Sequence, residues 1–270
     1  MAGWVSAVWF ALSFPDLPKV VSVICTVIIG LVAGGIAGAI PGILRAYLGT
    51  SEVIVTIMMN YIILYVANNI IRFGFTADML RSSEASNKVV ASASYQTEFL
   101  SQITGGSRFN IGFFLALAAA FLVWFLLKKT TTGFEITSVG LNPHASEYAG
   151  MSSKRVIIMS MIISGALCGL GGTVEGLGTF QNVFVQNASL AIGWNGMAVA
   201  LLASNSPIGI PFAALLYGVL SIGKSGMIGV PSEIIDVVSA LIIFFVGANY
   251  IIRYWVRPRH KSVKAKGGQN

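Results

Sequence analysis

The feature that most constrains the fold of this chain is a series of apolar stretches, each about as long as a lipid bilayer is thick. A helix needs about 20 residues, at a rise of about 1.5 Å each, to cross roughly 30 Å of hydrocarbon. The sequence therefore predicts an all-α, polytopic helical membrane protein. Stretches of sufficient length are predicted at 20–41, 52–71, 110–128, 155–178 and 234–254.

A further apolar stretch, 191–223, consists of two short halves that are interrupted from Ser204 to Pro207. The interruption is either a cytosolic turn between two short helices or the tip of a re-entrant pair, and both alternatives stay open at this point. Residues 3–14 are also apolar but too few to span, so they are interpreted as the remnant of a helix. In all, the sequence predicts about seven membrane helices or half-helices.

Composition supports the membrane class and excludes others. Hydrophobic residues make up 55% of the chain and charged residues only 10%, with a mean hydropathy of +0.79, against roughly 25% charged residues in a soluble domain. The lysines and arginines behind the net charge of +7 lie mostly beside apolar segments, so membrane lipid is the expected partner and nucleic acid is not. Cys25 and Cys168 fall inside apolar runs, where both are expected to be small buried hydrophobes, and neither a disulfide nor a metal site is expected.

Basic residues predict which side of the membrane each loop faces, because lysine and arginine concentrate in cytoplasmic loops. If the basic tail 257–270 is cytosolic, most of the 17 lysines and arginines lie inside. The polar segment 129–154 is then cytosolic, and the loop 73–109 is extracellular. We expect this outer loop to be a solvated surface loop with room for a short helix. Residues 1–256 are predicted to form the membrane domain.

Glycines recur at about one-turn intervals in two of the predicted spans. Glycine on one helical face lets two backbones approach closely, which favours helix association in lipid. We therefore predict tight helix contacts here rather than a lining for a permeation path. The glycines are Gly30, Gly34, Gly38 and Gly42 in one span and Gly165, Gly169, Gly172 and Gly176 in the other.

Two parts of the chain resemble each other. Residues 51–73 align without gaps with residues 232–254, sharing a Ser-Glu start and an Ile-Ile-Arg ending. In the predicted topology the two copies run in opposite directions, which is how many transporters are built around a central pathway. This is a candidate inverted repeat; chance similarity between apolar helices is the alternative.

The polar segment 129–154 contains a short predicted helix. Asn142 and Pro143 form a helix start, since proline is favoured in the first turn, and Gly150 ends the helix. The segment is too amphipathic for a simple tether and too polar to cross a bilayer. We predict that force from another subunit enters the membrane domain here, the alternative being a solvated loop held by its own caps.

Polar residues within apolar spans are candidates for the substrate path, because such groups in lipid tend to face a cavity or a partner. Glu175 is a carboxylate well inside a predicted span, near its outer end, where it could also reach interfacial water. Asn60 lies near mid-membrane, where hydrogen bonding between helices is the alternative role. Trp194 and Asn195 open the short helix before the interruption. Trp194 could stack on a base or anchor the helix at the interface.

Several ordered stretches of the sequence resemble one family. GLNPHASEYAG followed by MSSKRVIIMSMIISGALCGLGGTVEGLG, together with PGILRAYLGTSEVIVTIMMNYI and NGMAVALLASNSPIGIPFAALLYG, resembles the permease subunits of ATP-binding-cassette (ABC) importers. The resemblance is to importers of the ribose and branched-chain amino acid type, and most closely to the nucleoside branch. It covers nearly the whole chain. Family members begin with additional membrane helices before the region that matches Ala11 onward, so this chain is expected to be short at its N-terminus.

The resemblance implies a set of partners. These are a cytosolic ABC ATPase, a second homologous permease or a second copy of this chain, and an extracellular substrate-binding lipoprotein. The short helix would dock into a cleft of the ATPase, and no cofactor is implied. The residues expected to make this contact are Asn142, Pro143, His144, Glu147, Tyr148 and Gly150.

No pattern in the sequence predicts catalysis by this chain. The sequence has no glycine-rich phosphate loop followed by Lys and Ser or Thr, so ATP is expected to be hydrolysed in another subunit. The favoured function is therefore a nucleoside permease in the cell membrane, with simple sugars or branched-chain amino acids as neighbouring cargoes. A stand-alone ion-coupled transporter using Glu175 and 191–223, and a non-transporting assembly protein, are the alternatives.

Overall fold

The computed structural model describes residues 1–97, 100, 102, 105–107, 109–188, 192–226, 237, 240–241 and 244. The chain divides into two compact units, Met1–Leu190 and Ala191–Asn270. The described part of the first unit contains seven α-helices, and the fold class predicted from sequence is confirmed. The helices are α1 (Ala2–Ser13), α2 (Lys19–Leu48), α3 (Glu52–Asn69), α4 (Gly112–Lys129), α5 (Thr131–Leu141), α6 (Pro143–Tyr148) and α7 (Ser153–Val174).

Four helical segments of the first unit are long and apolar enough to cross a membrane. They are Lys19–Leu48, Glu52–Gly74, Gly112–Lys129 and Ser153–Phe180, and each overlaps one predicted span. Two of them end in a π-helical turn, Ile70–Gly74 after α3 and Glu175–Phe180 after α7. The fifth predicted span, 234–254, and with it the second copy of the candidate repeat, lies almost entirely outside the described residues, as does the tail 257–270.

The closest helix packing joins α2 to α7 through their glycines. A Cβ on Gly34 would overlap the backbone of Gly165 and Gly169, and a Cβ on Gly38 would stand 3.0 Å from the Gly165 Cα. The prediction of a tight helix contact is therefore correct for these positions, which we call the glycine seam (Gly30, Gly34, Gly38, Gly165 and Gly169). Because the seam brings backbone against backbone, dispersion contacts replace the hydrophobic drive that lipid does not provide.

Beyond the seam, Gly42 faces Met161 of α7, whereas Gly172 and Gly176 pack against α1. A Cβ on Gly176 would overlap the Trp4 indole, and Gly172 faces the Trp4 backbone. Trp4 stacks on Phe180 with 5.3 Å between ring centroids, and its Nε1 donates to the Asn182 carbonyl at 2.9 Å. The short apolar helix at the start of the chain is thus the centre of the buried core.

The outer loop contains a short 3-10 helix, Ala77–Met79, as the sequence allowed, but part of it is buried as a packed cap and not solvated as expected. A short hairpin of β1 (Leu80–Ser82) and β2 (Ala85–Ser86) is followed by Val89, Ala93 and Tyr95, all buried. Segment 181–186 runs alongside this stretch, with the Ser86 amide donating to the Val183 carbonyl at 2.8 Å. Residues 77–97 and 181–186 together are called the outer cap below.

The outer cap is tied to the membrane helices by buried polar contacts. The Tyr95 hydroxyl lies 2.9 Å from the Thr26 hydroxyl of α2, and Lys19 Nζ donates to the Gln96 carbonyl at 2.8 Å. At the end of α3, Asn68 exchanges two hydrogen bonds with the Gln186 backbone. Composition does not predict this cap, because its Ser- and Asn-rich stretch is held by contacts with residues that are far away in the sequence.

The second unit begins with two short helices, α8 (Ile192–Leu202) and α9 (Gly209–Gly226). They are separated at the predicted position. Ser204 and Asn205 both have positive φ, 53° and 57°, and the Asn205 amide donates to the Ala200 carbonyl at 2.8 Å. The break is therefore a Schellman-type helix end.

Candidate functional site

The polar segment 129–154 is organised by two side-chain caps. Thr130 Oγ1 accepts from the Gly133 amide at 3.1 Å at the start of α5, and Asn142 Oδ1 accepts from the Ala145 amide at 3.1 Å at the start of α6. Each cap pairs an amide that the first helical turn leaves without a backbone partner. The short helix predicted between Asn142 and Gly150 is confirmed as Pro143–Tyr148, and its cap is Asn142, where the sequence predicted the helix start.

The end of α6 reverses the chain toward α7. Gly150 has φ of +86°, a conformation in which a Cβ would be strained, and its amide donates to the Glu147 carbonyl at 2.9 Å. The amide of Met151 donates to the Ser146 carbonyl at 3.0 Å. The turn therefore presents α6 as a separate short element between α5 and α7.

The tip of this segment exposes apolar side chains beside polar ones. Tyr148 is 96% exposed and Leu141 is 83% exposed, while His144 and Glu147 are exposed between them. Since large exposed apolar side chains mark interaction surfaces when they cluster with polar residues at their rim, the geometry suits docking of another protein. Of the six predicted contact residues, Asn142, Pro143 and Gly150 shape the helix, and the other three form its surface.

A cavity of about 220 Å³ lies beside the glycine seam, between α1, α2, α3 and α7. Asn60 of α3 lines it, as do Thr56 and Cys168. Asn60 makes no side-chain hydrogen bond within the described part of the chain, so the alternative role of bonding between helices has no support in this arrangement. Thr56 was missed in the sequence analysis, although it lies one helical turn before Asn60 on the same face.

Glu175 lies in the π-helical turn that follows α7, away from the residues lining the Asn60 cavity. It is half-buried, and Thr179 Oγ1 donates to its Oε2 at 3.4 Å. π-Helical turns are frequent at functional sites. Cys168, expected to be a buried small hydrophobe, is instead exposed on the cavity wall.

Trp194 and Asn195 lie in the first turn of α8, in the second unit. Trp194 is exposed and Asn195 half-buried. The structure thus brings together Asn60 and Thr56 in one unit and Trp194 and Asn195 in the other.

A bundle of membrane-length helices with a capped, exposed short helix between two of them is typical of a membrane transport subunit. The model of the family described as the permease component of branched-chain amino acid transport systems matches residues 1–247, and the chain belongs to this family. It is a multi-pass plasma-membrane permease of an ABC transporter, a transport subunit rather than an enzyme. Such permeases work with a separate ATPase subunit and a substrate-binding protein.

Several characterised permeases are similar to this chain. It is 51% identical over 269 residues to the nucleoside ABC transporter permease NupB of Lactococcus lactis, covering 98% of this chain and 74% of NupB. It is 46% identical over 257 residues to the guanosine permease NupP of Bacillus subtilis, covering 94% and 72%.

A glucose permease, TsgB13 of Haloferax volcanii, is 33% identical over 151 residues, which are 54% of this chain and 40% of TsgB13. No solved structure matches.

Proposed function

We propose that this chain forms part of the translocation path of an ABC importer for nucleosides and that α6, its coupling helix, docks into the ATPase. The observation that carries the cargo class is the 51% identity to the nucleoside permease NupB over 98% of the chain. The guanosine permease NupP aligns over nearly the same extent. Simple sugars are the second candidate, because the glucose permease TsgB13 is also similar to this chain. They rank second because that similarity is lower and covers 54% of the chain.

The complete importer contains a cytosolic ABC ATPase, a second homologous permease or a second copy of this chain, and an extracellular substrate-binding lipoprotein. His144, Glu147 and Tyr148 contact the ATPase through their exposed side chains, while Asn142, Pro143 and Gly150 hold the helix in shape. ATP binding closes the ATPase pair and displaces the coupling helix, and the membrane helices change their access side in response.

The substrate path includes Asn60, Glu175, Trp194 and Asn195. A nucleoside offers sugar hydroxyls, which can donate to a carboxylate and bond to an amide, and a π face, on which an indole can stack. Among the described residues the Asn60 amide, beside Thr56, has no hydrogen-bond partner, which supports the proposal because such a group can bind a hydroxyl.

The docking proposal is tested with Glu147→Ala and Tyr148→Ala in one chain. We expect the ATPase to be absent from the complex purified from cells, and nucleoside uptake to fall by at least roughly tenfold. The reason is that a few residues at the centre of an interface carry most of its binding energy. Membrane insertion should be unchanged. Thr131→Ala, at an exposed position of α5, is the matched control. An ATPase that still co-purifies at full yield with the double variant would contradict the proposed contact.

The transport class is tested by removing the ATPase. Uptake of radiolabelled guanosine should stop in cells that lack the ATPase gene and should be insensitive to a protonophore while ATP is maintained. Uptake that persists without the ATPase and collapses with the protonophore would instead indicate an ion-coupled transporter, in which Glu175 is the expected ion site.

A further inference from the structure

We propose that Ser153 fastens the coupling helix to α7 and thereby sets how much substrate moves for each ATP hydrolysed. Ser153 is a positioning residue that touches neither ATP nor substrate. The inference rests on the proposed function, since it concerns the step between ATPase movement and helix movement.

The contact itself joins the first residues of two helices. Ser153 is the first residue of α7 and is only 5% exposed. Its Oγ donates to the carbonyl of Pro143, the first residue of α6, at 3.0 Å. Pro143 has no amide hydrogen and a fixed φ, which suits the first position of a helix. The Ser153 hydroxyl therefore bonds to the first turn of the coupling helix.

A second buried serine completes the junction. Ser146 is 4% exposed, and its Oγ donates to the Asn142 carbonyl at 3.0 Å. Its own carbonyl accepts from the Met151 amide in the turn that leads to α7. Two hydrogen bonds therefore join α6 to the start of α7, one from the Ser153 hydroxyl to the Pro143 carbonyl and one from the Met151 amide to the Ser146 carbonyl. Rotation of α6 relative to α7 would break the Ser153 bond.

The other end of α7 lies next to the outer cap. Through the glycine seam α7 is locked to α2, whose Thr26 holds Tyr95 of the cap. Beyond its π-helical turn the chain enters segment 181–186, where the Asn182 carbonyl holds Trp4. One helix therefore contacts the coupling helix at one end and the cap at the other. While the Ser153 bond holds, a displacement of the coupling helix moves α7 and with it the outer cap. If the bond breaks, the coupling helix moves without α7.

The residue beside Ser153 provides a matched control. Ser152 precedes α7, is exposed, and makes no side-chain cap hydrogen bond. Ser152→Ala therefore removes the same hydroxyl group one position away without removing a contact. Ser153→Thr keeps the hydroxyl and adds a methyl group.

The experiment uses the complete importer, with its ATPase, partner permease and binding protein, in liposomes supplied with ATP and guanosine. Guanosine accumulated per ATP hydrolysed is measured for the wild type and for the Ser153→Ala, Ser153→Thr and Ser152→Ala variants. Yield and thermal stability in detergent are recorded for each. For Ser153→Ala we expect the ratio to fall roughly threefold to tenfold, the effect of losing about one buried hydrogen bond, with ATP hydrolysis within about twofold of the wild type. Ser153→Thr should recover most of the ratio, and Ser152→Ala should match the wild type.

Three results would overturn the inference. The first is an unchanged ratio for Ser153→Ala while the wild type imports guanosine, which leaves the proposed function intact. The second is a fall in import that follows only the loss of folded complex, with no rescue by threonine, which would make Ser153 a stability residue. The third is a wild-type complex that hydrolyses ATP without importing any nucleoside, which overturns the proposed function and this inference together.

Discussion

Gly169 lies where α7 comes closest to α2, and a methyl group at this position has no space. A Cβ built there overlaps the Gly30 carbonyl and stands 2.8 Å from the Gly34 Cα. Because the obstacle is backbone, the helices must separate. We expect Gly169→Ala to lower the free energy of unfolding by about 1 to 3 kcal/mol, the usual cost of overpacking, measured by thermal denaturation in detergent.

The control for this substitution lies two residues along the same helix. Gly171 has no heavy atom within 4 Å of a built Cβ, so Gly171→Ala should be neutral or slightly stabilising, since alanine favours helix. Equal destabilisation by both substitutions would show that the loss at Gly169 is not steric and that the seam packs differently.

Tyr95 links the outer cap to α2 through a fully buried hydroxyl. Thr26 Oγ1 already donates to the Ser22 carbonyl, so the Tyr95 hydroxyl is the donor to Thr26. Burial raises the pKa of Tyr95 to about 12 from 10.0. The folded protein therefore binds this proton more tightly than the unfolded chain does, and stability should decrease as the pH rises from about 10 to about 12.

Tyr95→Phe should remove this loss of stability at alkaline pH. At neutral pH it should lower the free energy of unfolding by about 1 kcal/mol, because one hydrogen bond is lost. The measurement is the unfolding temperature in detergent from about pH 8 to about pH 12, a range that extends about two units to each side of the ordinary tyrosine pKa. Tyr65→Phe, at a position 67% exposed, is the control. An alkaline transition that survives in Tyr95→Phe would assign it to another group.

At the scale of elements, the turn between α8 and α9 depends on two residues in the left-handed region. Ser204 and Asn205 have φ of 53° and 57°, a conformation that costs most residues roughly 1 kcal/mol or more and glycine almost nothing. Asparagine tolerates it, but serine is not a favoured residue for it. We expect Ser204→Gly to stabilise the second unit slightly and Ser204→Val to destabilise it by about 1 kcal/mol.

Proteolytic protection of purified protein in detergent measures this effect at the helix pair itself. Ser206→Val, next to the turn but without positive φ, serves as the control. If glycine and valine at 204 had the same effect, the helix end would not depend on the left-handed conformation. The sequence predicted the interruption from Ser204 to Pro207, because polar residues and proline end helices locally. Which residues take positive φ is visible only in the structure.

Elements differ in how well sequence alone predicted them. Helices α2, α3, α4 and α7 were recognised because apolar length is a local property of the chain. The coupling helix was recognised from Asn142, Pro143 and Gly150, since caps act within one turn. The outer cap was missed, because Tyr95 and Val89 are buried by partners from α2 and from segment 181–186 that no local pattern reveals.

At the scale of the whole molecule, the orientation in the membrane is a prediction from the distribution of lysine and arginine. It places α6 in the cytosol and the β1–β2 hairpin outside. In a chain whose Cys25 and Cys168 are replaced by serine, Thr131→Cys, at an exposed position of the same polar segment, should react with a membrane-impermeant maleimide only in permeabilised cells. Ser83→Cys, in the hairpin turn, should react in intact cells. The reverse pattern would contradict the orientation and the docking of α6 to a cytosolic ATPase.

Sequence alone was sufficient for the helical membrane class, the family and the position of the coupling helix, because hydrophobic length, helix caps and ordered motifs are read from neighbouring residues. It also identified the glycines of the seam as packing positions. Tertiary structure was needed to show that Gly34 faces Gly165 and Gly169, that Asn60 and Thr56 line a cavity, that Tyr95 is buried against Thr26, and that Ser153 bonds to Pro143. The physical reason is that each of these contacts depends on the relative position of two elements, and the side chains that decide it are separated along the chain.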